Sequence, residues 1–359
     1  MTGPPRDARG GSPTQPDPIS ASASIEITGF PEHPGLTVRP YAGPSDHAGM
    51  AAVNTAWRES IGITELITVE LIDNLYANLT GSDPHRDCLV LERGGQILGY
   101  RRTSSVAGVD GGHVDEASVV MHPAIRDEAT FLALLLDGEA RLAADRTLRA
   151  AHPRDVLRGW TWDSDAVAQA ALQAAGYRAV HRFYEMVRPD LEQVEVLELP
   201  AGLEVRPVEP EHWRPIWEAD VDAFRDDWEP DDASETGFQR FLGEPDQRPA
   251  LWQVAWDGDQ VAGHVLVTIN EASNARFGRR EGVLDSVAVR APYRRRGLAR
   301  ALIGRALVAL REHGETSAAL GVDVDNPNQA LGLYTSCGFR IDVSGTVYER
   351  PVSPPDQRA

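Results

Sequence analysis

The chain has 359 residues, of which 42% are hydrophobic, and a net charge of −19. This length suits about two domains, and so negative a surface disfavours nucleic acid and anionic membranes as partners. The sequence contains no lysine, which excludes lysine-dependent nucleotide hydrolysis and Schiff-base chemistry. Cys88 and Cys337 show no metal-ligand spacing. With no signal peptide or membrane span recognisable, we expect a cytoplasmic protein without a metal site.

The sequence repeats itself once. The segment "GLTVRP" from Gly35 recurs as "GLEVRP" from Gly202, and "AAGYRAVHRFYEMVRP" from Ala174 is echoed by "SCGFRIDVSGTVYERP" from Ser336. The repeat unit is as long as a domain, which indicates a tandem pair. In chain order we predict a disordered tail (1–24), a first domain (25–190), an acidic linker (191–201), a second domain (202–351) and a second tail (352–359).

The second copy shows the element pattern most clearly. A strand begins near Leu203, and Asp257-Gly258 between two apolar runs predicts a hairpin turn. The run "VLDSVAV" from Val283 predicts a buried strand. A helix from Leu298 to about Glu312 is predicted by an apolar face at Leu302, Ile303, Ala306, Leu307 and Leu310, with Gly314 as its end. A further strand, a short helix over 329–336 and two final strands follow, so the fold class is a mixed α/β sheet layered with helices.

An anion site is predicted where the helix at Leu298 begins. The segment "RRRGLARAL" from Arg294 places unpaired helix N–H groups at a loop tip, next to Arg294, Arg295, Arg296 and Arg300. Gly297 lets a ligand approach the backbone, and Ala299 keeps the first turn small. Arginines near a helix start often only face solvent, but cations are electrostatically better placed at the other end of a helix. The physical interpretation is a pyrophosphate cradle.

These residues resemble the acyl-coenzyme A motif of the GNAT superfamily of N-acetyltransferases, Gln/Arg-x-x-Gly-x-Gly/Ala, with Arg294, Gly297 and Ala299 in the defined places. Downstream, "DNPNQALGLYTSCGF" is similar to the second motif of that family, and the resemblance covers residues 202–350. The tandem layout is similar to that of mycothiol synthases. The resemblance implies two tandem GNAT-fold domains and acetyl-CoA as cosubstrate. It also implies that the strand carrying Val287 splays from its neighbour. The implied coenzyme-binding residues are Val287, Ala288, Val289, Arg294, Arg295, Arg296, Gly297, Leu298, Ala299, Arg300 and Asn326.

The first copy departs from this motif. Aligning Pro123 with Pro292 sets Asp127 and Glu128 against Arg296 and Gly297. Carboxylates at a helix start satisfy the N–H groups that a phosphate would use, and they repel the phosphate. We therefore interpret the first copy as a degenerate domain.

The resemblance implies that Tyr334 is the acid that protonates the departing thiolate and that the Val287 amide polarises the thioester carbonyl. Asp285 is our candidate base, since period two places it on the face of Val287 and Val289, where a buried carboxylate is poorly explained by packing. The alternatives are Glu281 and Asp323, or a solvent-facing Asp285 with no catalytic role. Asn326 contacts the pantetheine arm or only caps a helix.

We expect an acceptor that is a small primary amine, and the negative charge of the protein would favour a cationic one. A cluster of carboxylates around Trp228 either steers such an amine or is a solvated charge run: Asp226, Asp227, Glu229, Asp231 and Asp232. A thiol-bearing amino sugar is a variant of this acceptor. The alternative function is a non-catalytic coenzyme A sensor or scaffold, and the protein is expected to be a monomer or a homodimer.

Overall fold

Two copies of one strand-and-helix pattern build the structure, a computed structural model that describes residues 24–108, 111–225, 227–228, 232–324 and 330–352. The N-terminal half comprises β1 (Thr37–Pro40), α1 (His47–Ser60), α2 (Val69–Ala77), α3 (Pro84–Asp87), β2 (Cys88–Arg93), β3 (Gln96–Ala107), β4 (His113–Met121), α4 (Glu128–Arg146), β5 (Val156–Trp162), α5 (Ala166–Ala174) and β6 (Arg178–Arg188).

The C-terminal half comprises β7 (Glu204–Val205), α6 (Trp213–Ala223), α7 (Glu235–Leu242), β8 (Gln253–Asp257), β9 (Gln260–Thr268), α8 (Glu271–Phe277), β10 (Glu281–Val289), α9 (Leu298–His313), β11 (Ser317–Asp323), α10 (Ala330–Ser336) and β12 (Arg340–Pro351). The hairpin at Gly258 and the helix ending at Gly314 are confirmed. The two final strands predicted from the sequence are instead one long strand, β12, with a bulge between Ile341 and Val343.

All the strands form one mixed sheet in the order β1-β2-β3-β4-β5-β12-β6-β11-β10-β9-β8-β7. Read from either end, the order gives five successive strands of one copy followed by the last strand of the other copy. Glycines recur at matching places because a side chain would not fit. A Cβ on Gly99 would lie 3.0 Å from the carbonyl oxygen of Val120, and one on Gly263 would lie 2.7 Å from that of Ala288. The repeat seen in the sequence is therefore a structural repeat.

The two halves exchange their last strands at the centre of the sheet. Strand β6, which ends the first copy, pairs with β11 and β12 of the second copy. Strand β12, which ends the second copy, pairs with β5 and β6 of the first. Met186 of β6 accordingly packs in the apolar core of the C-terminal half, and Tyr348 of β12 in that of the N-terminal half. Each half therefore depends on the other for one strand.

Helix α9 covers the sheet of the C-terminal half with the face that the sequence predicts. Leu302, Ile303, Ala306, Leu307 and Leu310 are all buried. Packing of these side chains against the sheet fixes the helix, so its first turn is held at the end of β10, where the candidate site lies.

Candidate active site

The parallel strands β10 and β11 diverge in the C-terminal half. Their pairing runs from Glu281 with Ser317 to Val283 with Ala319, and no further pair follows in the part of both strands that the structure describes. Beyond that point β10 continues to pair with β9, and β11 with β6. The facing edges therefore open into a wedge whose backbone groups are available to a ligand, which agrees with the splay that the resemblance implies.

A β-bulge lies in β10 at Asp285. Leu284 lies opposite Val267 and Ser286 opposite Leu266, so Asp285 is the extra residue. Its side chain is exposed, whereas Leu284 and Ala288 are buried. The inference that Asp285 is a buried carboxylate on an apolar face is therefore wrong, because the bulge interrupts the period of two and leaves the side chain in contact with solvent.

A cavity of about 360 Å³ lies between the open edge of β10, the start of α9 and α10. Most of the predicted coenzyme-binding residues line it: Val287, Ala288, Val289, Arg294, Arg295, Gly297, Leu298, Ala299 and Arg300. Arg296 is exposed and its Nη2 donates to the carbonyl of Ala201 at 3.3 Å, outside the cavity lining. Asn326 lies outside the described residues.

The loop before α9 has the backbone of an anion cradle. Gly297 occupies the N-cap position at φ 83°, and no side chain caps the first turn. Arg295, at φ 62°, is the one non-glycine residue with a positive φ in the described ranges. Such strain costs on the order of 1 kcal/mol or more and persists where the surroundings enforce it. A Cβ built on Gly297 meets no atom within 4 Å, so the space before the helix N–H groups is open.

The arginine side chains mostly hold this loop in place. Arg294 turns back from the cavity: its Nε donates to the carbonyl of Val289 at 2.9 Å and its Nη2 to that of Ala223 at 3.0 Å. Arg300 donates from Nη2 to the Ser336 hydroxyl. The guanidinium of Arg294 therefore ties the loop to the end of β10 and the end of α6, a role that the sequence analysis did not anticipate.

Tyr334 lies at the inner end of the cavity, on α10. Its side chain is buried and packs edge-on against Phe339. Burial raises the pKa of Tyr334 well above its usual range, and the nearby Cys337 and Asp227 raise it further. The phenol is therefore neutral at physiological pH and can act as a proton donor.

A second cavity, of about 450 Å³, adjoins the first and shares Phe224, Val287, Ala330 and Tyr334 with it. We call this second space the acceptor-side cavity. Four carboxylates line it: Asp220, Asp227, Asp285 and Asp323. The candidate acid Tyr334, the candidate base Asp285 and the alternative base Asp323 therefore meet in one space, while Glu281 lines neighbouring cavities with Asp285.

The comparison with known families now decides the class of this half. Residues 213–339 match the model of the acetyltransferase (GNAT) family. This segment is a GNAT acetyltransferase domain. Its boundaries enclose the divergent strands, the cradle and Tyr334.

Solved structures extend the likeness over both halves. A GCN5-related N-acetyltransferase from Sphaerobacter thermophilus has a TM-score of 0.64 and 21% identity, over 90% of this chain and 98% of that one. A tandem GNAT protein from the clavulanic acid biosynthesis pathway has a TM-score of 0.58 and 16% identity, over 89% of this chain and 100% of that one. A putative acetyltransferase from Pyrococcus horikoshii reaches 0.52 at 13% identity, over 90% and 91%. The chain therefore has the tandem GNAT fold. A search of curated proteins gave no significant match.

A polar network in the GNAT domain was missed by the sequence analysis. On the wall of the acceptor-side cavity, Ser286 donates to Asp220 Oδ1 at 2.5 Å, and the same oxygen lies 2.8 Å from His264 Nε2. His264 is 1% exposed. These residues come from β10, α6 and β9, so no local motif joins them. The only sequence signal was a histidine within the apolar strand "VAGHVLV".

The N-terminal half supplies part of the acceptor-side cavity. Phe183 of β6 lines it, and His181 Nε2 of the same strand lies 3.0 Å from Asp323 Oδ1. The His181 ring stacks on Trp228 with centroids 4.6 Å apart. Of the carboxylates around Trp228, Asp226, Glu229 and Asp231 lie outside the described residues.

Further carboxylates face the cleft between the two halves. Burial, the neighbouring Glu65 and other nearby carboxylates raise the pKa of Glu185 to about 7. Burial likewise raises the pKa of Glu244 to about 7 and that of Asp246 to about 6. These groups therefore lose their protons as the pH rises through neutrality, which makes the cleft more negative.

In the first copy, a carboxylate caps the helix that corresponds to α9. Asp127 is the N-cap of α4, and its Oδ1 accepts from the Thr130 backbone N–H at 2.8 Å. Its Oδ2 accepts from the Thr130 hydroxyl at 2.8 Å. Because α4 begins at Glu128 and α9 at Leu298, Asp127 corresponds to Gly297 and not, as the sequence alignment suggested, to Arg296.

We expect one acetyl-CoA to bind per chain. Asp127 occupies a helix N–H group in the first copy and places a negative charge where the pyrophosphate would lie. Isothermal titration calorimetry of the full chain should give a stoichiometry of one, and a crystal structure of the complex should place the molecule against α9. A second molecule against α4 would contradict this account of Asp127.

The described ranges contain neither a metal-binding cluster nor a membrane-spanning helix. Within them, no group of three or more His, Cys, Asp or Glu side chains is arranged to hold a metal ion. Nor does any helix there have both the length and the apolar character needed to cross a membrane.

Proposed function

We propose that the GNAT domain transfers an acetyl group from acetyl-CoA to the primary amine of a small, cationic molecule. The observation that carries this proposal is the convergence of Tyr334 with the carboxylates of Asp285 and Asp323 in a cavity that adjoins the cavity at the start of α9. A protein that only binds coenzyme A needs the cradle, but it does not need an acid and a base in the adjoining space.

The chain's own groups fit acetyl-CoA, which supplies an activated acetyl thioester. The uncapped N–H groups at the start of α9 and the open space at Gly297 suit its pyrophosphate. The open edge of β10 from Val287 to Val289 suits its pantetheine amides, because an extended chain can add to a strand edge.

Each group then has one task in the transfer. The Val287 N–H stabilises negative charge that develops on the carbonyl oxygen. The ammonium group first loses one proton to solvent, because only the neutral nitrogen is a nucleophile. Asp285, directly or through water, then takes the second proton that the nitrogen loses as the C–N bond forms. Tyr334 gives its proton to the sulfur as the C–S bond breaks, and it regains one from solvent.

A cationic acceptor fits the charge of the site. Asp220, Asp227, Asp285 and Asp323 line about 450 Å³, and no arginine is among the described residues that line this cavity. Such walls attract a cation and raise its local concentration. A diamine, a polyamine or an amino sugar carries this charge, and a fungal structure sharing the fold is described as a glucosamine N-acetyltransferase region.

The direct test follows release of free thiol from acetyl-CoA with a panel of amines. The panel should contain a diamine, a polyamine, glucosamine and an uncharged aromatic amine, with an amine-free reaction as the control for hydrolysis. We expect turnover with one or more of the cationic amines and product confirmed by mass spectrometry. Tight acetyl-CoA binding without turnover of any amine would instead support the sensor function.

Replacing Asp285 with asparagine should lower kcat/KM by roughly 100-fold, because the amide cannot take a proton. Because the Asp285 side chain is exposed, we expect the variant to fold like the wild type. Asp323→Asn is the matched control, since Asp323 lines the same cavity but faces His181, and we expect less than about a tenfold loss. If Asp323→Asn lowers kcat/KM more than Asp285→Asn does, Asp323 is the base.

A further inference from the structure

A separate cavity lies within the N-terminal half, between β4 and β5. These parallel strands pair only over Val114–Glu116 and Val156–Arg158 and then diverge. The space between them, with a volume of about 380 Å³, has a largely apolar wall: Trp57, Ile72, Leu75, Phe131, Leu135 and Trp160. It therefore has the size and the surface of a site for a small organic molecule.

Arg126 is buried against this cavity with two nitrogens unused. Its side chain is 5% exposed and Nη2 donates to Asp165. The guanidinium lies 5.5 Å from the ring centroid of Trp57 and 5.2 Å from that of Phe131. Nε and Nη1 have no hydrogen-bond acceptor among the described residues. Burying such donors without a partner is costly, so they point to an acceptor that the described residues do not provide.

Asp165 cannot be that acceptor, because its oxygens are already engaged. Oδ2 accepts from Trp57 Nε1 at 2.8 Å as well as from Arg126, and Oδ1 accepts from the Ala168 backbone N–H at 3.2 Å. Its position as the N-cap of α5 fixes it in place. The ion pair therefore balances the charge of Arg126 while leaving Nε and Nη1, on the two sides of Nη2, without a hydrogen-bond acceptor among the described residues.

Two more polar groups belong to the same cavity. The Thr161 residue is 1% exposed, and its hydroxyl also lacks a hydrogen-bond partner in the described part of the chain. Arg102 lies on the wall, with its guanidinium 5.8 Å from the Tyr76 ring centroid. Glu116, the one carboxylate among the described residues that line the cavity, accepts from the Ser118 hydroxyl at 2.6 Å. Unused donors thus dominate, which favours an anionic partner.

We propose that this cavity binds a small organic carboxylate with an apolar body. Nη1 and Nε of Arg126 lie on different sides of the guanidinium, so Nη1 can make a charge-assisted hydrogen bond with a carboxylate oxygen and Nε remains open to a second acceptor. Thr161 adds a third donor, and the aromatic walls hold the apolar body. Coenzyme A is not the occupant, because Asp127 caps the adjacent helix. The site is independent of acetyl transfer and lies in the half that has lost its coenzyme cradle.

Calorimetric titration of the full chain tests this proposal, with phenylacetate, indole-3-acetate and acetate as carboxylates and phenylacetamide as the uncharged match of phenylacetate. We expect saturable binding of at least one aromatic carboxylate, tighter than acetate, and binding of the amide at least about tenfold weaker. Equal binding of acid and amide, or no saturable binding of any carboxylate, would overturn the proposal.

Two variants locate the site. Thr161→Val removes one donor at nearly constant volume and should weaken carboxylate binding about fivefold. Arg126→Met combined with Asp165→Asn removes the ion pair as a unit, so neither charge is left buried alone, and should abolish saturable binding. Acetyl-CoA titration of each variant is the folding control, because that site lies on α9, and its affinity should be unchanged. Carboxylate binding that survives both variants would place the ligand elsewhere and refute the assignment.

Discussion

Replacing Tyr334 with phenylalanine should lower the turnover number by roughly 10²–10⁴-fold, the usual contribution of a positioned acid. The variant keeps the ring that packs against Phe339 and removes only the hydroxyl. Acetyl-CoA affinity should change little, because the pyrophosphate and pantetheine contacts that we propose lie along α9 and β10. A stopped-flow measurement of thiol release, with acetyl-CoA affinity determined separately, gives both values.

The pH dependence of this step differs from the expectation for an ordinary phenol. A tyrosine at its reference pKa of about 10 would give an alkaline limb in the rate profile. Burial raises the pKa of Tyr334 well above that value, since it favours the neutral form. The wild-type rate should therefore show no loss from Tyr334 ionisation until the pH exceeds about 10. The alkaline limb that an ordinary phenol would give is shifted to higher pH.

Tyr293→Phe is the matched control for the tyrosine substitution. Tyr293 lines the same coenzyme cavity, but its hydroxyl donates to Asp257 at 3.1 Å. We expect its turnover to stay close to that of the wild type. If Tyr334→Phe also turns over within a factor of about three of the wild type, with the chemical step rate-limiting, then Tyr334 is a packing residue and the acid is water or another side chain.

Replacing Gly297 with glutamate should weaken acetyl-CoA binding by roughly 100-fold, because it recreates at α9 the arrangement that Asp127 makes at α4. A carboxylate at the N-cap occupies the helix N–H groups and repels the pyrophosphate. The new side chain meets no atom within 4 Å of its Cβ, so steric exclusion by the protein is not a confounding cause. Calorimetry with acetyl-CoA measures the loss.

The backbone at Gly297 requires a second variant as the control. Its φ of 83° disfavours any residue with a Cβ, at a cost on the order of 1 kcal/mol. Gly297→Ala carries the same strain without the charge, and we expect it to lose stability but to bind acetyl-CoA far better than the glutamate variant. Equal affinity for the two variants would show that the loop conformation, and not the helix N–H groups, controls binding.

The sequence predicts those parts of the fold that depend on neighbouring residues. Helix α9, its apolar face and its glycine end follow from period and capping rules that act within one turn. The cradle follows from residues adjacent in the chain, from Arg294 to Arg300. The repeat predicts two similar halves, but it does not predict that β6 and β12 change places. Either strand satisfies the same local pattern, and the exchange becomes visible only in tertiary packing, such as that of Met186 in the C-terminal half and Tyr348 in the N-terminal half.

The parts of the site that the sequence does not predict depend on distant contacts. Asp220, His264 and Ser286 meet because α6 packs on the face of β9 and β10. The exposure of Asp285 depends on a bulge, which no residue in "VLDSVAV" signals. The buried Arg126 was not singled out at all, because its significance depends on Asp165, which lies 39 residues further along the chain.

The exchange of β6 and β12 also sets the order in which the molecule can be completed during synthesis. A leading domain normally folds while the rest of the chain is still being made. Here Trp162 of β5 pairs with Gly345 of β12. Strand β5 therefore has β4 on one side but no partner on the other until Arg340–Pro351 has left the ribosome. Bringing β12 to β5 across so long a stretch of chain is slow. Until it pairs, the edges of β5 and β6 that will contact β12 stay unpaired. A protease that removes only the last strand would therefore damage the half of the protein that was made first.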